Sequence, residues 1–327
     1  MNILVTGGAG YVGSIVSEEL IKRGYEIVVL DNLQQGHREA VLNDAAFVQA
    51  DLSSPEELGN IFRRYQVGAV MHLAAETRVG YSAIDPRRFF QNNVVCGMNL
   101  LDVMLKYGVY NFIFSSSAAV YGEPLSMPVE EDQPEAPINS YGESKLMFEH
   151  VLQWYGKAYG IKHISLRYFN AAGASQYLGE DHCPETHLVP NVLRTALDKD
   201  DPVDVFGTDY PTKDGSCIRD YVHVMDIARA HVLALGKLDD LSGRAYNLGS
   251  GSGYSVLEVV ETAKKVSGVD IPFKSCPRRP GDPVALVASS GRAKSELGWK
   301  PEFPQIETII ESAWRWMKQH PRGYGAR

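Results

Sequence analysis

Cysteine is scarce in this sequence: four in 327 residues, Cys96, Cys183, Cys217 and Cys276, with no paired spacing. That argues against a disulfide framework and fits reduced thiols in a cytoplasmic protein. Long apolar runs are missing too. The longest, around Ile27–Leu30, has the length of a strand and falls far short of a membrane span. Met1-Asn2-Ile3-Leu4-Val5 runs directly into a strand pattern without a charged n-region or cleavage site, so no export is expected. Positive charge is in deficit. Lys and Arg number 32 against 40 Asp and Glu, a formal net charge of −8, which gives nucleic-acid binding no support at the level of the whole chain. An anionic small ligand would need local arginines or lysines. The 44% hydrophobic and 22% charged residues place the chain among ordinary globular proteins, with enough length for one large domain or two modest ones.

What is present begins with a βαβ unit. A β-branched and leucine run at 2–6 leads into Gly7-Gly8-Ala9-Gly10-Tyr11-Val12-Gly13, and an amphipathic helix runs on through Ile15, Val16, Leu20 and Ile21 to Gly24. A second strand, Glu26–Leu30, ends at Asp31. Glycines allow a tight turn and close backbone approach, and the helix N-terminus offers free N–H groups to a pyrophosphate. Asp31 is placed to accept both hydroxyls of an adenosine ribose; no arginine follows directly to hold a 2′-phosphate, so NAD is expected over NADP. A third strand, Ala46–Ala50, delivers Asp51 and Leu52 to the adenine rim. A helix from Pro55 and a fourth strand, Ala69–Leu73, lead to the loop Ala74-Ala75-Glu76-Thr77 at a ligand-binding sheet edge.

Residues 86–107 read as one long helix, too apolar for a one-sided surface helix, which points to a buried partner such as another subunit. A fifth strand, Asn111–Phe114, delivers Ser115-Ser116-Ser117. A helix then opens on Tyr141-Gly142-Glu143-Ser144-Lys145, where i, i+4 spacing puts a phenol and an ammonium on one face. A sixth strand, Ile164–Tyr168, closes the alternation. Beyond Asn170 come short helices at about 187–199, 223–236, 255–267 and 304–319, and short strands near Val203–Phe206, Ile218–Val222 and Tyr246–Leu248. The expected fold is α/β: a Rossmann-like doubly wound parallel sheet over 1–170, and a smaller mixed α/β lobe over 171–327 with chain contributions interleaved. Asp181-His182-Cys183 and His187 read as a polar loop before a helix rather than a metal site, since a second cysteine pair is absent.

With Gly7-x-x-Gly10-x-x-Gly13, Asp31, Ser115–Ser117 and Tyr141-x-x-x-Lys145 in this order, the sequence resembles the extended short-chain dehydrogenase/reductase family. Within it, the likeness is to the epimerases that act at C4 of UDP-glucose and UDP-galactose. It extends over Leu166-Arg167-Tyr168-Phe169-Asn170, Asp209-Tyr210-Pro211-Thr212, Arg219-Asp220-Tyr221-Val222-His223 and Pro277-Arg278-Arg279-Pro280-Gly281-Asp282 to the tail His320-Pro321-x-Gly323-Tyr324.

The resemblance implies NAD as cofactor, a UDP-sugar as partner, and epimerisation of a UDP-hexose through a transient 4-keto sugar; a homodimer is expected through the helices at about 86–107 and 141–160. It implies Tyr141 as proton acceptor and donor at the sugar 4-hydroxyl, Lys145 on the nicotinamide ribose, and Ser117 on the same hydroxyl. Gly7, Gly10, Tyr11, Val12, Gly13, Asp31, Asn32, Leu33, Gln34, Gln35, Gly36, Asp51, Leu52, Leu73, Ala74, Ala75, Glu76, Thr77, Asn93 and Phe169 fall where the family contacts NAD. Asn170, His187, Leu188, Asp204, Val205, Phe206, Arg219, Arg279 and Asp282 fall where it contacts the UDP-sugar. Two arginines on an acidic chain suit a diphosphate.

Three positions depart from the family pattern: Thr77 stands where many members have a lysine, His187 replaces an asparagine, and Leu286 replaces a gatekeeper tyrosine beside the hexose. The last change implies turnover of UDP-GlcNAc and UDP-GalNAc as well. A 4,6-dehydratase would carry an Asp-Glu pair after the catalytic Ser; here those positions are Ala118 and Ala119. A non-catalytic NAD-binding module would have a degenerate Ser/Tyr/Lys set, and all three are present. A decarboxylase or a pentose-nucleotide epimerase stays open at this point.

Overall fold

The computed structural model describes residues 1–198, 201–279 and 282–325. Lys199, the last residue of one expected helix, and Pro280-Gly281 of the arginine-bearing segment lie outside them. Seven strands, β1 (Asn2–Thr6), β2 (Glu26–Asp31), β3 (Ala45–Gln49), β4 (Val67–His72), β5 (Asn111–Ser117), β6 (Lys162–Tyr168) and β7 (Arg244–Leu248), form one sheet. Its order is β7-β6-β5-β4-β1-β2-β3, and every pairing is parallel. The order reverses between β1 and β4, so a crevice opens beyond their C-terminal ends, where doubly wound sheets bind ligands. The strands are nearly continuous runs of Ile, Leu, Val and Phe because helices cover both faces.

On one face, α1 (Tyr11–Lys22) lays Ile15, Val16 and Leu20 against β1 and β2. On the other lie α2 (Pro55–Tyr65), α3 (residues 86–106) and α4 (Ser140–Tyr159). Ser54 caps α2 by accepting from Glu57 N, and Asn139 caps α4 by accepting from Gly142 N. The expected helix at 86–107 is α3, but it is built from Pro86–Phe90, a π-helical turn Gln91–Val95, and Cys96–Lys106. Its apolar character is largely absorbed within the chain: Phe89, Val94, Leu100, Leu101 and Met104 are buried, and Val95 is exposed. Phe148 of α4, fully buried, packs 4.9 Å from the Phe114 ring; burying such a side chain contributes roughly 1.5–3 kcal/mol.

The chain then forms α5 (Leu188–Asp198), α6 (Val224–Gly236), α7 (Val256–Ser267) and α8 (Ile306–Gln319). Two segments from beyond the boundary expected at residue 170 join the large sheet and its core. Strand β7 pairs with β6 as the edge of the large sheet, and α6 packs Ile227 and Ala228 into the same core as α1. The smaller lobe consists of α5, α7 and α8 around Val192, Leu193, Val259, Ile309 and Ile310. With them lie a small sheet centred on Ile218–His223, which pairs with Asn170–Ala172, Gly253–Ser255 and Ala285–Leu286, and the parallel pair Val203–Phe206 with Phe273–Cys276.

Candidate active site

At the C-terminal end of β1, Gly7 takes φ +71°, and a Cβ there would stand 2.6 Å from Ala74 N. At Gly13 a Cβ would stand 2.1 Å from Gly7 O, so glycine lets α1 seat against the strand turn. Gly10 is the N-cap of α1; no side chain caps the helix and its first turn holds no acid, which leaves its N–H groups to an external anion. Asp31, at the end of β2, accepts from Ala9 N at 3.0 Å and Leu33 N at 2.9 Å. Burial raises its pKa, with those two bonds opposing. A Cβ at Gly36 would lie 2.9 Å from Asp31 Oδ1, so bare backbone keeps space beside the carboxylate. Arg38 stacks on Phe47 at 4.6 Å, which occupies the cation nearest in sequence that could have met a 2′-phosphate. This cradle fits the adenosine and diphosphate of NAD.

Around it, Asn32 Nδ2 donates to Asp51 Oδ2 at 2.7 Å, and Gln34 N donates to Asn32 Oδ1. Leu33 itself has φ 61°, the left-handed turn that brings the chain back past Asp31. Leu52 is buried beneath the rim. Leu73, Ala74 and Ala75 line the exit of β4, Glu76 is buried, and Thr77 is exposed. Arg78, beside Thr77, does not stand in for the missing lysine: its Nε donates to Glu76 Oε1 at 2.8 Å, and Arg88 pairs with Glu76 Oε2 at 2.7 Å.

Tyr141 and Lys145 occupy the first turns of α4, facing the end of β5. Ser117 hydrogen-bonds the Tyr141 phenol. Burial raises the pKa of that phenol, and the bond from Ser117 acts in the opposite direction. Ser117 Oγ also accepts from Ala119 N at 3.1 Å, and Phe89 meets the Tyr141 ring edge-on at 6.4 Å. Lys145 is buried; its Nζ donates to Ser115 O at 2.8 Å and lies 5.9 Å from the Tyr141 ring. Burial lowers its pKa to about 7, with Glu149 resisting. Ala118 and Ala119 begin a one-turn 3₁₀ helix directly after Ser117.

On the other side of the crevice, Asn170 opens a strand of the small sheet and Phe169 is buried. Arg219 NH1 donates to Pro283 O at 2.9 Å, and its NH2 lies 3.4 Å from Asp282. Arg279 stacks on Phe206 at 3.8 Å, and both guanidiniums act electrostatically on Cys217. Asp204 is exposed and Val205 fully buried, so only its backbone is open to a ligand. Leu286 pairs in register with Arg219 and packs against the cluster of Ala118, Val120 and Phe169, the first two of which directly follow Ser117. His187 Nδ1, just before Leu188, faces Glu180 at 2.7 Å.

Asn93, expected at the NAD site, and Glu149, Arg167 and Asp220, to which no role was assigned from sequence, hold these groups in place. Asn93 Nδ2 donates to Ser144 Oγ and to Glu76 O, while its Oδ1 accepts from Glu76 N. Its position in the π-turn thus ties the β4 loop to the Tyr141 helix, and a π-turn is a frequent mark of such positions. Glu149 accepts from Ser116 Oγ and Arg167, and Arg167 NH1 donates to Tyr121 OH at 2.8 Å. Asp220, fully buried, accepts from Ser250 N, Gly251 N and Ala288 N, fastening the small sheet to the loop after β7. Their available signal was a charged residue inside an apolar strand, as in Leu166-Arg167-Tyr168.

Residues 3–249 match the model of the NAD dependent epimerase/dehydratase family. The UDP-glucose 4-epimerase of Halalkalibacterium halodurans is 49% identical over 99% of this chain and 98% of its own. A crystal structure of UDP-glucose 4-epimerase from Bifidobacterium longum in complex with NAD+ and UDP superposes with a TM-score of 0.94. It is 36% identical, covering 99% of this chain and 100% of that one. The structure of the UDP-Glc/GlcNAc 4-epimerase from Campylobacter jejuni gives a TM-score of 0.84 at 42% identity, covering 97% and 99%.

Proposed function

The chain belongs to the NAD dependent epimerase/dehydratase family, and on that premise we propose that it interconverts UDP-glucose and UDP-galactose at C4 with NAD as cofactor. The observation that carries the reading is local: a half-buried Tyr141 beside Ser117 and Lys145, with alanines at 118 and 119 after the serine, at the sheet edge that bears the glycine cradle. NAD, when bound, supplies the hydride acceptor and donor for C4.

The chain's own work is proton transfer and orientation. Tyr141 takes the proton of the 4-hydroxyl as C4 is oxidised and returns it when C4 is reduced. Ser117 holds the same oxygen and passes the proton along. Lys145, when protonated, favours the phenolate by its charge. The uncharged phenol is the form burial favours, so the ammonium has to offset that cost. The 4-keto sugar turns about its diphosphate link while Arg219 and Arg279 hold the nucleotide, and reduction from the other face completes the exchange. Dehydration of the keto sugar would need an acid–base pair after Ser117, and alanine supplies neither. Leu286, shorter than a phenol, leaves room for a 2-acetamido group, which supports turnover of UDP-GlcNAc and UDP-GalNAc too.

The deciding test is incubation with UDP-galactose and no added NAD. UDP-glucose should form, and NAD should be released only on denaturation; no conversion even with NAD added would overturn the reading. We assign the protein to the cytoplasm, in keeping with four free thiols, and no helix among the described residues is long and apolar enough to cross a membrane. We also assign a homodimer, formed through α3 and α4, which leave Val95, Met147 and Trp154 exposed. A monomeric mass in sedimentation at micromolar concentration would count against it.

A further inference from the structure

The loop entering α5 gathers four side chains of metal-ligating type that the reaction does not use as a set: Glu180, His182, Glu185 and His187. One donor atom from each lies within 4.8 Å of all the others. His182 Nδ1 is 3.2 Å from Glu180 Oε1 and 3.7 Å from Glu185 Oε2. His187 Nδ1 is 2.7 Å from Glu180 Oε1 and 3.2 Å from Glu185 Oε1. Two of these buried atoms, His182 Nδ1 and Glu185 Oε2, face charged groups of the quartet at 3.2–3.7 Å without a hydrogen bond of good geometry. The Glu185 side chain is only 3% exposed, and a carboxylate oxygen without a well-aligned hydrogen bond at that depth is costly.

We propose that these four side chains form a divalent transition-metal site, with zinc as its occupant. Two imidazole nitrogens and two carboxylate oxygens are the donor types zinc accepts. Ligands at about 2.1 Å from a tetrahedral ion stand about 3.4 Å apart; the donor atoms here are 2.7 Å to at most 4.8 Å apart, so side-chain shifts of up to about 1.4 Å would seat the ion. The charges also balance. Two carboxylates facing two imidazoles are neutral either with both rings protonated or with one divalent cation in place of the two ring protons.

The surroundings suit a structural ion. Tyr11 of the glycine loop meets His182 edge-on at 6.3 Å and donates to Gly173 O at 2.6 Å. The neighbouring Asp181 is held by His37 at 3.3 Å and accepts from Tyr324 N at 3.0 Å, facing away from the quartet. An ion here would bind the 180–187 loop into one piece between the NAD-binding sheet and α5, and would fix where His187 and Leu188 stand.

The test is zinc binding by untagged protein carrying its NAD, stripped with a chelator and titrated with zinc chloride against a chromophoric competitor. One zinc per chain is expected. Glu185→Gln and His182→Ala should each weaken binding by at least about 100-fold, since loss of an outer-shell partner alone costs 10- to 100-fold. Cys183→Ser, which alters an exposed neighbouring thiol, should leave affinity unchanged. Zinc-edge anomalous diffraction from the wild type should place one peak among the four side chains, independently of how any variant folds. Less than about one-tenth zinc per chain, undiminished binding in both variants, loss of binding in Cys183→Ser, or a peak elsewhere would overturn the proposal.

Discussion

Replacing Tyr141 by Phe removes one oxygen and tests the proposed proton transfer with little else disturbed. The phenol's hydrogen-bond partner is Ser117, whose Oγ keeps Ala119 N as a donor after the change, so no buried acceptor is orphaned. The ring retains its edge contact with Phe89. One neutral hydrogen bond contributes about 1 kcal/mol, which in a chain of this size shifts Tm by only a few degrees. General acid–base catalysis is worth about 10²- to 10⁴-fold, so kcat should fall by that factor, equivalent to roughly 3–5 kcal/mol of barrier. The assay converts UDP-galactose and detects UDP-glucose with a coupling dehydrogenase, while NAD content is read after denaturation. The expected outcome is a loss in kcat of two to four decades with NAD retained. Activity within a few-fold of wild type would refute the assignment, and so would a loss accounted for by released NAD or a collapsed Tm.

Three further outcomes follow from particular contacts. Gly13→Ala places a Cβ 2.1 Å from Gly7 O, so the β1 turn and α1 must separate; stability should drop by about 1–3 kcal/mol with NAD lost on purification, and a variant with wild-type Tm and full NAD would contradict this. Leu286→Tyr restores a phenol beside the Ser117 loop and should reduce turnover of UDP-GlcNAc relative to UDP-galactose by about 10- to 100-fold; an unchanged ratio would remove Leu286 from specificity. The third concerns pH. Burial brings His72 down to about 3, with Lys145 adding to the effect, and brings His163, His223 and His231 down to about 4. Because these folded values lie below the unfolded one, the unfolded chain binds more protons as pH falls below about 6.5. The contribution of these four should therefore be full above that pH and decline by up to about 1.4 kcal/mol per pH unit per histidine towards pH 5. It outweighs the opposite contribution of His182 and His187, where burial is overcome by carboxylate partners that raise them to about 9 and about 10. Equal urea midpoints at pH 7.5 and 5 would show the reasoning wrong.

Much of the site was legible because its chemistry is local in sequence. Gly7, Gly10 and Gly13 sit within one turn, Asp31 ends the next strand, and Tyr141 and Lys145 are one helical turn apart. What was illegible lies in partners distant along the chain. Asn93 reaches Ser144 across 51 residues and Asp220 reaches Ala288 across 68, and no periodicity reports such pairs. The π-turn at Gln91–Val95 is equally silent, since its apolar pattern is that of an ordinary helix.

The sequence by itself determined the βαβ cofactor unit, the alternation that makes a parallel sheet, and the Ser/Tyr/Lys set, because strand and helix periods and glycine turns are properties of adjacent residues. It also supplied the alanines after Ser117 that separate epimerisation from elimination. Only the tertiary structure decided that Arg244–Leu248 completes the large sheet and that Val224–Gly236 covers it, because strand partnership depends on which exposed edge a returning segment can reach. It alone gathered Glu180, His182, Glu185 and His187 around one point, through a loop fold that sequence spacing does not encode.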